Sequence, residues 1–109
     1  MLATTETNAR MRVLACNMNA LTREQRARHE AATERLLRFA AREELPDGYL
    51  FTIDREQIPV AELAEWVADE SRCCPAVDFH LELPAFGLLT LRLDGGADVK
   101  AFIAAELGL

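Results

Sequence analysis

The chain has 109 residues, 50% of them hydrophobic, and a formal net charge of −6. This size and composition predict one domain at residues 10–109, preceded by a flexible polar tail at residues 1–9. The negative charge excludes nucleic acid as an expected partner, because contacts with phosphates would be repulsive. The sequence contains no apolar run long enough for a membrane span and no apolar block typical of a secretory signal, so we expect a cytoplasmic protein.

The first third of the sequence predicts a strand followed by a long helix. Apolar residues alternate over residues 10–18, which favours a strand. Thr22 and Gln25 then have the spacing of a capping box at the start of a helix. Residues 23–43 lack Gly and Pro and are rich in Ala, Glu and Arg, so we expect the helix to cover them, with His29 on its solvated face.

The middle of the sequence predicts a second strand and a second helix. Pro46 ends the first helix, and we expect Gly48 to turn the chain with a positive φ. Aromatic and β-branched residues alternate over residues 49–53, as in a strand. The next helix is expected from Pro59 to about Cys73, because the proline that follows Cys74 stops it.

The last third of the sequence predicts two strands joined by a hairpin loop, at residues 77–83 and 88–93, and a terminal helix at residues 98–107. The element order βαβαββα predicts an α+β two-layer sandwich. One mainly antiparallel four-stranded sheet would carry its helices on one face. The other face, with Asp78, His80 and Glu82, would meet solvent, a cleft or a partner in a homodimer.

Adjacent Cys73 and Cys74 offer the most distinctive chemistry in the sequence. Both lie at the negative end of a helix dipole, one turn after Glu70, and this position disfavours thiolates despite the neighbouring Arg72. A soft cation reverses the balance, because a bound metal deprotonates thiols and is stabilised by the helix end and by the carboxylate. The segment therefore favours a metal site over an activated nucleophile.

Two adjacent thiolates suit a nearly linear or trigonal centre of mercury, copper(I) or an arsenite-like metalloid, whereas zinc takes four tetrahedral ligands. Cys16 and His80 are the candidates to complete either geometry. Glu70, Trp66 and Arg72 are expected around the ligands. The structural alternatives are a packing role for Cys16, an exposed or acid/base role for His80, and a core or interface role for Trp66.

Three functions remain open for the cysteine pair. In the first, the protein binds a thiophilic ion for sequestration, delivery or resistance. In the second, a thiol enzyme uses one cysteine to attack a disulfide, peroxide or electrophile and the other to resolve the intermediate. In the third, the cysteines only pack in an interaction domain. An odd count of three cysteines, two of them adjacent, argues against a disulfide framework, so we expect reduced thiols and a binding protein.

The run Glu-Ser-Arg-Cys-Cys-Pro at residues 70–75, with Leu-Ala-Glu-Trp at 63–66 and Leu-Thr-Leu-Arg-Leu at 89–93, resembles a family of small uncharacterised bacterial proteins. They share a Glu-x-x-Cys-Cys-Pro signature, and some are associated with heavy-metal-responsive gene neighbourhoods. The similarity extends over most of the chain, including Cys16 and the helix start at residues 21–22. Other members have an aromatic residue after the proline where this chain has Ala76, so an aromatic wall is not implied here.

Overall fold

The computed structural model describes residues 16–109, and within them the chain forms three α-helices and one four-stranded sheet. The helices are α1 (Arg23–Phe39), α2 (Val60–Cys73) and α3 (Ala97–Leu107), and the strands are β1 (Ala41–Leu45), β2 (Gly48–Ile53), β3 (Asp78–Glu82) and β4 (Leu89–Asp94). All neighbouring strands are antiparallel, in the order β1-β2-β4-β3. The expected α+β fold, with helices on one face of an antiparallel sheet, is confirmed.

One face of the sheet and the inner sides of the helices form the core. Alternate residues of β2 and β4 are buried, as a strand with one solvated face requires. The core residues that are at most 1% exposed include Leu36, Phe51, Ile53, Leu63, Trp66, Leu89, Leu91 and Leu93. Cys73 and Cys74 belong to the same buried cluster, so the candidate chemistry is built into the core.

Helix α1 begins where the sequence predicts and ends earlier. The Thr22 side chain accepts from the Gln25 backbone N–H at 3.1 Å, and the Gln25 side chain accepts from the Thr22 N–H at 2.9 Å, which completes the capping box. The helix ends at Phe39, and the expectation that it continues to residue 43 is wrong. Ala41–Leu45 forms β1 because it pairs along its whole length with β2, and this pairing outweighs its helix propensity.

Gly48 is required by close packing rather than by a left-handed backbone. The expectation of a positive φ is wrong, since the glycines that adopt one among the described residues are at other positions. A Cβ atom at Gly48 would clash with the backbone carbonyl oxygen of Leu93 on the paired strand. The glycine therefore permits β2 and β4 to approach each other at the start of β2.

The segment before α1 is not the expected strand where the structure describes it. The tail at residues 1–9 and residues 10–15 lie outside the described part of the chain. Cys16 and Asn17 have no regular secondary structure, and Met18–Ala20 forms a 3-10 turn. The Asn17 N–H donates to the Cys73 carbonyl at 2.7 Å, so this segment is attached to the end of α2.

The helices described in residues 16–109 include none that combines the length and the apolar character needed to cross a bilayer.

Candidate functional site

The three cysteine side chains converge at the C-terminal end of α2. Cys16 and Cys74 form a disulfide, and the Sγ of Cys73 lies 3.6 Å from the Sγ of Cys16 and 3.9 Å from the Sγ of Cys74. Cys73 and Cys74 are completely buried, whereas Cys16 is partly exposed. The structure thus brings the expected third ligand, Cys16, to the adjacent pair.

The end of α2 sets the directions of the two adjacent cysteines. Cys73 is the last helical residue, whereas Cys74 has left the helix, with φ −125° and ψ 74°. Pro75 disfavours the α conformation for the residue before it, which explains the break. The Cys74 N–H still donates to the Glu70 carbonyl at 2.8 Å.

The disulfide corrects the expectation that all three thiols are reduced. That expectation assigned Cys16 to a strand and took the odd number of cysteines as evidence against a disulfide. In the structure Cys16 lies outside regular structure beside the end of α2, where its Sγ bonds to that of Cys74, 58 positions along the chain. Cys73 is left as the free thiol among the described residues.

Glu70 connects the thiols to a buried histidine. Its Oε1 lies 2.5 Å from the Nε2 of His29 and 3.9 Å from the Sγ of Cys73. His29 is only 5% exposed, so the expectation that it is solvated is wrong. The available signal was the spacing of His29, Ala32 and Leu36, which places the three buried residues of α1 on one side of that helix.

Trp66 holds the histidine in place. Its ring stacks on that of His29, with centroids 5.5 Å apart and planes 12° from parallel. The indole N–H donates to the Thr33 hydroxyl at 2.8 Å, and this hydroxyl donates to the His29 carbonyl at 2.8 Å. Trp66 is 1% exposed and meets Phe79 edge-on at 6.3 Å, so it supports the site as a core residue.

Arg72 and His80, the other expected site residues, have contacts elsewhere. Arg72 is exposed and pairs with Asp69 Oδ1 at 3.9 Å. His80 lies on the polar face of the sheet, where its Nε2 is 3.1 Å from Asp94 Oδ1, and Arg92 pairs with the other oxygen at 3.3 Å. In residues 16–109, His80 belongs to none of the groups of three or more donor atoms close enough to share an ion.

The surroundings keep the Cys73 thiol protonated. Burial, reinforced by the negative charges of Glu70 and Glu106, raises the pKa of Cys73 from 9.0 to about 11. The pKa of Glu106 is also raised, first by partial burial and then by the neighbouring Glu70 carboxylate. The sequence predicted a weakly acidic thiol from the helix end and Glu70, and the raised pKa agrees with that direction. Its largest cause, however, is burial.

Within residues 16–109, three overlapping groups of side chains have donor atoms that all lie within 4.8 Å of one another, and each could hold a metal ion once any disulfide in it is reduced. One is the set of three cysteines. A second combines Cys16 and Cys74 with Glu70 and Glu106, and the third combines His29, Glu70 and Cys73. From the sequence, Glu70 was expected beside the ligands and Glu106 was not identified at all. Glu106 is 36 positions from Glu70 and approaches it only through the packing of α3.

A cleft of about 580 Å³ shares His29, Glu70 and Glu106 with these groups. Glu30 and Glu34 add two further carboxylates to its wall, while the remaining lining includes small and apolar side chains. The cleft is therefore acidic on the side next to the thiol cluster.

Comparisons of the chain with protein-family models, with curated proteins and with solved structures found no match. The resemblance carried by residues 70–75 stays a prediction.

Proposed function

We propose that the protein binds a thiophilic metal or metalloid ion, such as mercury, copper(I) or arsenite, through Cys16, Cys73 and Cys74, for sequestration, delivery or resistance. The observation that carries this proposal is the placement of three Sγ atoms within 4.8 Å of one another. Sulfurs bound to one ion at about 2.3 Å are separated by roughly 4 Å. The distances of 3.6 and 3.9 Å from the Cys73 Sγ to its two neighbours fit that requirement, and the bonded sulfurs of Cys16 and Cys74 reach it when reduction lets them separate.

The proposed binding form is the reduced protein. Thiolates bind soft ions, so the Cys16–Cys74 disulfide must first accept two electrons and two protons from a thiol reductant. The same cluster then presents three thiols in place of one. Oxidation consequently opposes ion binding, because it removes two of the three ligands.

The electrostatics of the site support a cation more than a nucleophile. A thiol with a pKa of about 11 is almost entirely protonated at neutral pH and attacks electrophiles slowly. A bound ion displaces the proton, and Glu70 and Glu106 then stabilise the positive charge that replaces it. Ion binding should therefore release protons, which buffer-dependent calorimetry measures.

Anaerobic titration of the reduced protein tests the proposal. With mercury(II), copper(I) or arsenite we expect one ion per chain by native mass spectrometry, and loss of binding in the double variant Cys73→Ser, Cys74→Ser. Cys16→Ser should lower the affinity for ions that need three sulfur ligands more than the affinity for ions that need two. His80→Asn is the matched control and should bind as the unmodified protein does. Unchanged binding in the double variant would overturn the proposal.

The distance between Cys73 and the disulfide favours thiol–disulfide exchange as a second candidate. A Cys73 thiolate that attacks the Cys16 Sγ at 3.6 Å forms a Cys16–Cys73 bond and releases Cys74 as a thiolate, with no net oxidation. The raised pKa of Cys73 opposes this reaction at neutral pH. The pH dependence of alkylation decides, since an apparent pKa below the ordinary value would support the enzyme.

A further inference from the structure

We propose that Glu106 and Glu70 complete the coordination of a divalent cation beside Cys16 and Cys74, so that the site selects ions such as zinc and cadmium over uncharged arsenous acid. This inference rests on the proposed thiol site and specifies the class of ion that it holds.

The number and type of the donor atoms fit a divalent cation. The Sγ atoms of Cys16 and Cys74 and one carboxylate oxygen from each of Glu70 and Glu106 lie within 4.8 Å of one another, and reduction of the disulfide between the two sulfurs makes both available as thiolates. Two thiolates and two carboxylates make four ligands of types that zinc accepts, in the number that its tetrahedral sites require. Arsenite binding uses thiolates and leaves carboxylates without a role, so this set of donors fits a divalent cation better.

The charge around the donor atoms is negative and favours a cation. Two carboxylates held this close repel each other, and a cation bound between them would relieve this repulsion. Among the described residues that line the adjoining cleft there is no lysine or arginine, and Glu30 and Glu34 add further negative charge. A divalent cation is attracted to this region, whereas a neutral metalloid acid gains nothing from it.

The contacts of Glu70 fix its carboxylate in the position of a ligand. Its Oε1 bonds to His29 Nε2, and the imidazole is fixed by the stack on Trp66. Ligating carboxylates in metal sites are commonly oriented by such a hydrogen bond from an outer residue. Glu70 is therefore held beside the thiols, while the more exposed Glu106 can be substituted with little effect on the fold.

The test is a pair of titrations of the reduced protein, one with cadmium(II) followed by its thiolate charge-transfer absorbance and one with arsenite. In Glu106→Gln we expect cadmium affinity to fall about tenfold or more, with arsenite affinity unchanged within about twofold. Glu30→Gln is the matched control, because Glu30 lines the cleft outside the donor group, and it should leave both affinities within about twofold. Zinc bound to the unmodified protein should show both sulfur and oxygen neighbours by X-ray absorption.

The outcomes separate this inference from the thiol site on which it rests. Cadmium affinity that is unchanged in Glu106→Gln, or that falls equally in Glu30→Gln, would overturn the assignment of Glu106 as a ligand and leave the thiol site standing. A parallel loss of arsenite binding in Glu106→Gln would overturn the selectivity. If the reduced unmodified protein binds no cadmium, this inference is wrong; the proposed function is wrong as well only if mercury(II), copper(I) and arsenite also fail to bind.

Discussion

The Sγ of Cys73 lies 3.6 Å from the Sγ of Cys16, although 57 positions separate the two residues in the chain. The Sγ of Cys74, the next residue in the chain, is slightly farther from the Sγ of Cys73, at 3.9 Å. The Cys73 sulfur thus has two sulfur neighbours at similar distances, and these two neighbours are bonded to each other. The cluster holds three sulfurs in positions where different pairs can form bonds.

The first prediction concerns the pairing of these sulfurs. In Cys74→Ser, we expect oxidation to give a Cys16–Cys73 disulfide, because their sulfurs are already close. In Cys16→Ser, we expect two free thiols, because a bond between adjacent cysteines strains the peptide that joins them. Peptide mapping without reduction distinguishes the two results. Free thiols in oxidised Cys74→Ser would contradict the close approach of the Cys16 and Cys73 sulfurs.

The second prediction concerns the contribution of the disulfide to stability. Reduction of Cys16–Cys74, which links positions 58 apart, should lower the free energy of unfolding by about 2–4 kcal/mol, because the unfolded chain regains the freedom of a long loop. Urea unfolding with and without reductant measures the difference. Cys16→Ala is the control, since reductant should then have little effect. An equal effect of reductant on both proteins would show that the disulfide is not its cause.

The third prediction concerns the acidity of Cys73. Because burial and Glu70 raise its pKa, the thiolate absorbance of the oxidised protein should titrate near pH 11, and Cys73→Ser should lack this transition. Below pH 9 the thiol is neutral in both the folded and the unfolded state. From pH 9 to 11 the unfolded chain loses this proton first, so the free energy of unfolding should fall by at most about 2–3 kcal/mol relative to Cys73→Ser. A midpoint near 9 would contradict the prediction.

The fourth prediction concerns the buried pair of His29 and Glu70. His29→Phe keeps an aromatic ring beside Trp66 and removes the partner of a carboxylate that is 3% exposed, so we expect a loss of about 2–4 kcal/mol in chemical unfolding. Adding Glu70→Met should restore part of this loss, since both polar partners are then absent. The pairwise coupling follows from the double-mutant cycle, and additive effects would mean that the two side chains do not interact.

His80→Ala is the matched histidine control for that experiment. His80 pairs with Asp94 on the polar face of the sheet, and Arg92 still pairs with the same carboxylate when the imidazole is removed. We expect a loss below about 1 kcal/mol. A larger loss than in His29→Phe would reverse the ranking of the two histidines.

The sequence was sufficient for the fold class because strong local signals agreed with the final packing. The capping box of Thr22, the stop at Pro75 and the alternation in β2 and β4 each predict an element that is present. The sequence was insufficient for β1, whose alanine, arginine and glutamates prefer a helix. Its strand conformation depends on pairing with β2, and such pairing is not visible in local propensity.

The site could be predicted only as far as the neighbours of the cysteine pair along α2. The i, i+3 and i+4 spacing places Glu70 beside Cys73 and Cys74, and the structure agrees. His29 and Glu106 come from other helices, and their approach depends on how those helices pack on the sheet. The position of Cys16 follows from a backbone hydrogen bond to the end of α2, for which no sequence pattern exists.

Among the strands of residues 16–109, β1 lies at one edge of the sheet, and this position has a consequence for the behaviour of the protein at high concentration. Four of its five residues are exposed, and three of them, Arg42, Glu43 and Glu44, are charged. An open strand edge offers unpaired backbone groups to any other chain, and charged side chains discourage that pairing. Lys100 also reaches from α3 to within 2.6 Å of Glu44 Oε1. This edge is therefore protected against the strand-by-strand growth that leads to fibrils.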